Sequence, residues 1–224
     1  MNEHGREPVR GLPAPLPEGE RILWQGAPDA RAILMGALRL PWAAGYFALL
    51  FAWTIVAGLG DGAGAAVIAT RLGAVAAAGA GVAALLGLYA WAVARTTVYT
   101  ITNKRVVIRH GVALQKAFNV PFRVVTSAGL KLDRAGTGDL PLALSDGQRI
   151  AFVHLWPHVR PWRFTQTEPM LRGVPKAAEV AVVLAEALRA AHPLPAEVAA
   201  SVASTPVRPA RRPRRAAAGR TAPA

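Results

Sequence analysis

His154 and His158 stand four positions apart, the spacing that lets two imidazoles on one helix face share a metal ion. Pro157 lies between them and Pro161 follows. A proline inside a helix removes a hydrogen bond and clashes with the preceding turn, so a regular helix is not expected. No carboxylate nearby in sequence completes a ligand set. The chain has no cysteine, which removes thiolate metal sites, disulfides and a cysteine nucleophile together. Ser127, Ser145, Ser201 and Ser204 lack the strand–turn–helix setting of an activated serine. Gly136-Thr137-Gly138-Asp139 reads as a turn without the helix and lysine of a phosphate loop. Asp133, Asp139, Asp146, Glu168 and Glu179 form no recognisable acid–base pair. The expectation is a protein that is not an enzyme and carries no metal or cofactor.

The same stretch does offer contact chemistry. Trp156, His158, Arg160, Trp162 and Arg163 lie close together, with Pro157 and Pro161 interspersed among them. Indole and guanidinium groups supply large contact energies at interfaces, and a stiffened backbone lowers the ordering cost of binding. These five residues are expected to form a partner-binding surface. The competing reading is a proline-stiffened loop packed on its own domain.

The elements that hold this segment begin with an apolar stretch, Leu40 to Ala94. It carries no charge from Leu40 to Gly60, a short connector containing Asp61 and Arg71, and none again from Leu72 to Ala94. At roughly 1.5 Å per residue, each run spans the roughly 30 Å core of a bilayer. A two-helix transmembrane hairpin is expected over residues 40–94. Trp42, Tyr89 and Trp91 would then meet one membrane face, with Arg39 and Arg95 beside them as interface residues. Gly79, Ala83 and Gly87 recur every fourth residue and offer a smooth face for helix contact.

Charge sets the expected orientation. Arg21, Arg31 and Arg39 precede the first run, Arg95, Lys104, Arg105 and Arg109 follow the second, and the connector contributes Arg71. The positive-inside rule places both termini in the cytoplasm. Residues 1–39 contain no apolar core of a secretory signal. The net charge is +13, partly from Arg208, Arg211, Arg212, Arg214, Arg215 and Arg220 in an Ala/Pro/Arg-rich tail, residues 193–224, expected to be disordered. Such charge suits anionic lipid headgroups or an acidic protein surface. Nucleic acid is not the expected partner, because no base-stacking motif accompanies the arginines.

After the hairpin the pattern changes to short strands. Thr97 to Thr102 and Arg105 to Arg109 are β-branched and aromatic around Asn103-Lys104 and read as a β-hairpin. Further strands are expected at Val112–Val120, Phe122–Ala128, Leu130–Asp133, Leu140–Leu144 and, after the turn Asp146-Gly147, Gln148–Leu155. Pro175 opens a helix to about Ala191, with Val180, Val183, Leu184, Ala187 and Ala191 on one stripe. Before the hairpin, residues 1–15 are expected to be a disordered tail, and residues 16–39 a short strand, Ile22–Gly26, and a lead-in helix, Ala30–Leu40, capped by Asp29. The fold class is an α+β membrane protein: a hairpin plus an antiparallel β-barrel or sheet over residues 95–192, capped by an amphipathic helix.

Short strands closed by a carboxy-terminal helix resemble a pleckstrin-homology (PH)-like barrel. Tyr99-Thr100-Ile101-Thr102-Asn103-Lys104-Arg105-Val106-Val107 is similar to the opening of bacterial PH-like domains that follow a membrane hairpin. In that family the strand before the hairpin, here Ile22–Gly26, joins the same domain. His154 to Arg163 with Glu168-Pro169-Met170-Leu171-Arg172 resembles the PuhB proteins, as do Leu16–Asp29 and Gly136–Asp139. The resemblance covers roughly Leu16 to Ala191. PuhB proteins assist assembly of the photosynthetic reaction centre of purple bacteria. The resemblance implies a chaperone-like membrane assembly factor whose partners are reaction-centre subunits, possible antenna subunits and anionic lipids, with a homo-oligomer left open. It further implies residence in the bacterial inner, photosynthetic intracytoplasmic membrane. The alternative is a general membrane-anchored PH-like module that binds headgroups or scaffolds another complex.

Overall fold

Val98–Thr102 (β2) and Arg105–His110 (β3) pair as antiparallel strands around Asn103-Lys104. A computed structural model of the chain describes residues 11–12, 14–133, 135–145, 152–161 and 167–192. The β2–β3 turn is held by its own side chains. Thr102 Oγ1 accepts from the backbone N–H groups of Lys104 (3.1 Å) and Arg105 (3.0 Å), the local turn bonding to which short hydroxyl side chains are suited. Asn103 reaches across the sheet edge, accepting from Arg21 N at 2.9 Å and donating to the Gly19 carbonyl at 2.9 Å. The Arg105 guanidinium makes a two-pronged contact with Glu20 at 2.8 and 3.1 Å. These bonds dock Ile22–Gly26 (β1) on β2, with Ile22 opposite Thr102 and Gly26 opposite Tyr99. Lys116–Pro121 (β4) pairs with the other edge of β3, giving the order β1-β2-β3-β4.

The long helices are therefore an insertion between two strands that lie side by side. Asp29 caps Ala30–Ala32 (α1) by accepting from Ala32 N at 2.8 Å, as its side chain is suited to do. The lead-in continues as a π-helical turn, Ile33–Ala37, and not as a regular helix to Leu40. Arg39 takes a left-handed backbone (φ 56°), and Leu40–Gly60 (α2) starts beyond it with a proline in its first turn. Ala65–Thr96 (α3) returns antiparallel to α2. The expected connector is shorter than its charges implied, because α3 begins before Arg71. Both helices are long and apolar enough to cross a membrane, and almost none of the residues in their apolar runs is fully buried.

Their contact runs through half-buried Ile68, Leu72, Val75 and Gly79, one face at helical spacing. A Cβ on Gly79 would lie 3.1 Å from the Phe47 ring, and one on Gly58 would lie 2.7 Å from Ile68. Of the expected small-residue stripe, Gly79 lies on this face and the rest does not. Ala83 is exposed, and a Cβ on Gly87 would meet nothing within 4 Å. Larger side chains reach the partner helix and set the contact.

A second sheet follows the first. Phe122–Val124 forms a 3-10 turn where a strand was expected, and Val125–Ala128 (β5) and Lys131–Leu132 (β6) follow. Gly138–Leu144 (β7) pairs with both, and also with Met170–Val174 (β8). Leu140 and Leu142 alternate into the core. The expected Gln148–Leu155 strand is not found in its described part, where Phe152–Leu155 (α4) is one helical turn. Asp146 to Ala151 lie outside the described residues, and β8 takes the place beside β7. Ala177–Ala191 (α5) buries Val180, Leu184 and Ala187, with Val183 half-buried and Ala191 exposed. The buried side of α5 closes a core with Tyr99, Ile101, Ile108, Phe122, Leu140 and Leu171. Each fully buried leucine there contributes about 1.5–3 kcal/mol relative to exposure. The tail after His192 lies outside the described residues.

Candidate functional site at the base of the helix pair

The last turn of α3 runs into β2 without a loop, Thr97 N donating to the Val93 carbonyl at 3.0 Å. The lead-in segment packs on this end, where Ile33, Ala90 and Val93 form a small core of their own. The β-domain is thus joined to the helix pair on both sides, through α1 and through Thr97.

His158 sits at this junction, fully buried. Its Nδ1 is 2.7 Å from the Tyr99 hydroxyl and its Nε2 is 3.2 Å from Thr97 Oγ1. Arg172 N donates to the same Tyr99 oxygen at 3.1 Å. The Tyr99 hydroxyl donates to the Arg172 carbonyl at 3.1 Å, which assigns Nδ1–H of His158 as donor to the Tyr99 oxygen and leaves Nε2 to accept from the Thr97 hydroxyl, the neutral form of the ring. Burial pushes the His158 pKa well below its usual 6.5, with His110 and Arg172 adding to the shift. Burial likewise lowers His110, helped by Lys116 and opposed by a hydrogen bond to the His154 backbone. The His110 ring stacks on Phe118, its centroid 5.0 Å from that of His158. Burial raises the pKa of Tyr99, so the cluster is uncharged apart from Arg172. Burial also lowers Arg172, opposed chiefly by the charge of Asp139. Its Nη2 donates to the Val159 carbonyl at 3.4 Å, while Nε has no partner among the described residues.

This arrangement suits a lock more than a reaction centre. Both His158 nitrogens are engaged by Tyr99 and Thr97, so His154 and His158 do not form a ligand pair. His158 was expected on a contact surface, and that expectation is corrected: a hydroxyl on each side holds the ring inside.

Its neighbours face outward. Trp156 stacks on Tyr89 of α3, with centroids 6.0 Å apart, and stays 42% exposed. The Arg160 guanidinium donates to Glu168 at 2.8 Å, the arginine side chain half-exposed and the glutamate nearly buried. Val159 bridges Pro169 and is buried. The segment from Trp156 to Arg160 therefore presents an indole and a held guanidinium beside the helix base. Trp162 and Arg163 lie outside the described residues. Trp42 is exposed in the first turn of α2. Trp91 is exposed near the end of α3, with Arg95 Cζ 5.3 Å from its ring centroid. Because the helices are antiparallel, Arg39, Trp42, Trp91 and Arg95 gather at one end of the pair, with Tyr89 beneath Trp156.

Sequence reasoning did not find Thr97, Tyr99, Asp139 or Arg172. Asp139 Oδ1 accepts from Gly173 N at 2.9 Å, and the Gly173 carbonyl accepts from Asp29 N at 2.8 Å. That relay links β7, β8 and the lead-in segment. Asp29 and Asp139 stand in stretches that carry the resemblance, but the relay between them appears only where β7, β8 and the lead-in segment meet.

Residues 33–188 match the family model described as the bacterial PH domain. The chain belongs to the bacterial PH domain family. Its two antiparallel sheets and closing helix are the PH-like part, and the matched region also takes in α2 and α3. The chain is 41% identical over 201 residues to an uncharacterized 23.7 kDa protein in the puhA 5' region of Rhodobacter capsulatus, covering 87% of this chain and 91% of that protein. A DUF1696-family protein with a pleckstrin-homology domain from Shewanella loihica aligns at 15% identity, with a TM-score of 0.27 over 40% of this chain and 69% of that one.

Proposed function

We propose that this bacterial PH domain protein is a PuhB-type, non-enzymatic membrane assembly factor for the photosynthetic reaction centre. The observation that carries the reading is its 41% identity, over nearly the full length of both chains, to the Rhodobacter capsulatus protein encoded in the puhA 5' region, a position that suggests a link to reaction-centre genes. The fold supports it physically. α2 and α3 leave their apolar surface uncovered, and a bilayer removes that surface from water. The hairpin enters the inner membrane with Arg39, Trp42, Trp91 and Arg95 at the cytoplasmic interface, and the β-domain stands in the cytoplasm. Trp156 and Arg160 then lie where a membrane subunit emerging beside the hairpin would meet them. Anionic lipids hold the basic surface close to the membrane.

Deleting the gene from a photosynthetic purple bacterium tests the reading. Reaction-centre absorbance should fall while the client transcripts persist, and restoring the chain should bring it back. Unchanged absorbance in the deletion strain would overturn the assembly role. Orientation is checked separately. A reporter active only outside the cytoplasm should give signal when fused at Gly62 and none when fused after Ala191.

A further inference from the structure

The sheet register places one more feature at the membrane end of the β-domain. β2 starts directly from α3, and β3 runs back toward that start, with Val98 opposite Arg109. His110 pairs with Lys116, so the turn from Gly111 to Gln115 projects past the point where α3 ends. At this tip Leu114 is 78% exposed and Val112 is 45% exposed. Tight turns between strands ordinarily carry polar residues and glycine, and nothing in the turn geometry calls for a leucine there. The tip is firmly shaped. Gly111 has φ +130°, and a side chain at that position would collide with the Leu114 carbonyl. The Arg109 guanidinium donates to the Gln115 side chain.

We propose that the β3–β4 turn enters the interfacial layer of the bilayer that holds the hairpin, with Val112 and Leu114 as its apolar contacts. This rests on the hairpin being membrane-embedded. Charge favours lipid as the occupant. From Arg95 to Leu132 the sequence contains basic residues and no Asp or Glu, and Arg109 and Lys116 flank the tip at headgroup height. Basic residues at that level are attracted to anionic headgroups. Other uncovered apolar groups gather at the same end. Met35 and Leu132 line one cleft of about 250 Å³ between the lead-in segment and the β6–β7 turn, and Trp156 lies on Tyr89. The hairpin alone anchors the chain; the turn adds a contact away from the hairpin axis and so fixes the tilt of the β-domain on the membrane.

The chain has no cysteine, so Leu114→Cys and, separately, Val112→Cys admit one environment-sensitive fluorophore each. Arg123→Cys is the control; it is exposed near the β2–β3 turn, where Phe122 N bonds the Lys104 carbonyl, at the opposite end of the sheet. The full chain is reconstituted in vesicles of phosphatidylcholine and phosphatidylglycerol, washed with alkali and floated. Labels at 114 and 112 should emit to the blue of the control and be quenched by nitroxide-bearing lipid, while the label at 123 should be quenched only by aqueous iodide. Protein lost from the floated vesicles would overturn the hairpin reading. Floated protein whose labels at 114 and 112 behave like that at 123 would overturn the turn proposal alone. A blue shift that nitroxide lipid leaves unquenched would mean cover by protein, and would overturn it too.

Discussion

The Tyr99 hydroxyl lies 2.7 Å from His158 Nδ1, and this contact ties the first strand after the hairpin to the segment that carries Trp156 and Arg160. The same hydroxyl accepts from Arg172 N. Three chain segments distant in sequence thus meet at one oxygen. Tyr99→Phe removes that oxygen from three buried partners, His158 Nδ1 and the N–H and carbonyl of Arg172, and each group left unpaired costs about 1–3 kcal/mol where no water replaces it. The expected outcome is a clear loss of stability in detergent, read by chemical denaturation. The loss in Tyr99→Phe/His158→Ala should be smaller than the sum of the two single losses, because the residues share one interaction.

Acid should weaken the fold. His158 and His110 are both held below their usual 6.5 by burial. The native chain keeps them neutral while the unfolded chain takes up protons, so stability is lost as pH falls below about 6.5 and is unaffected by these groups above it. Unfolding midpoints measured from about pH 8 to about pH 5 should fall in the acid half of that range. His158→Gln should make the fall shallower. An unchanged slope would place the acid sensitivity elsewhere.

Gly173 should not tolerate a side chain. Its φ is +62°, and a Cβ there would lie 2.9 Å from the Ala32 Cβ. The left-handed backbone alone costs roughly 1–2 kcal/mol for an L-residue, and the contact with the lead-in helix adds to it. Gly173→Ala should therefore destabilise the chain. Protease cleavage between β1 and α2 should rise with it, because Asp29 is held by the Gly173 carbonyl.

Arg160→Ala combined with Arg163→Ala tests the contact surface. Arg160 is half-exposed, but the Glu168 carboxylate it pairs with is nearly buried, so removing the guanidinium should cost more than breaking a surface pair, and the variant's unfolding midpoint is measured beside reaction-centre accumulation. Reaction-centre accumulation should fall while the variant itself stays at normal abundance. Normal accumulation would assign the segment a purely structural role.

What sequence made legible follows from range. The boundaries of α2 came from its run without charge, β2 and β3 from β-branched residues around a two-residue turn, and the buried side of α5 from one stripe. All three are local patterns. β8 was missed because Met170-Leu171-Arg172-Gly173-Val174 lacks the β-branched and aromatic run that marks the equally buried β2, and its partner β7 is not adjacent in sequence. The burial of His158 was illegible for a similar reason: Tyr99, which makes room for it, stands 59 positions earlier. Asn103 and Arg105 were noted as part of a resemblance, yet their work is visible only once Gly19 and Glu20 lie beside them.

The insertion of the helix pair between β1 and β2 imposes an order on synthesis. Gln25 leaves the ribosome 75 positions ahead of Thr100, the residue whose hydroxyl it will bond. At roughly 5–20 residues per second, β1 waits about 4–15 s for its neighbour strand. Throughout that interval it is an unpaired edge, exposed to stray pairing with other nascent chains. The α2–α3 hairpin, once formed, brings the ends of the long connection together and lowers the entropy cost of closing it. Completion of the first sheet is therefore coupled to closure of the helix pair, and a chain whose helices fail to pair is left with an open β1 edge that quality-control proteases can recognise.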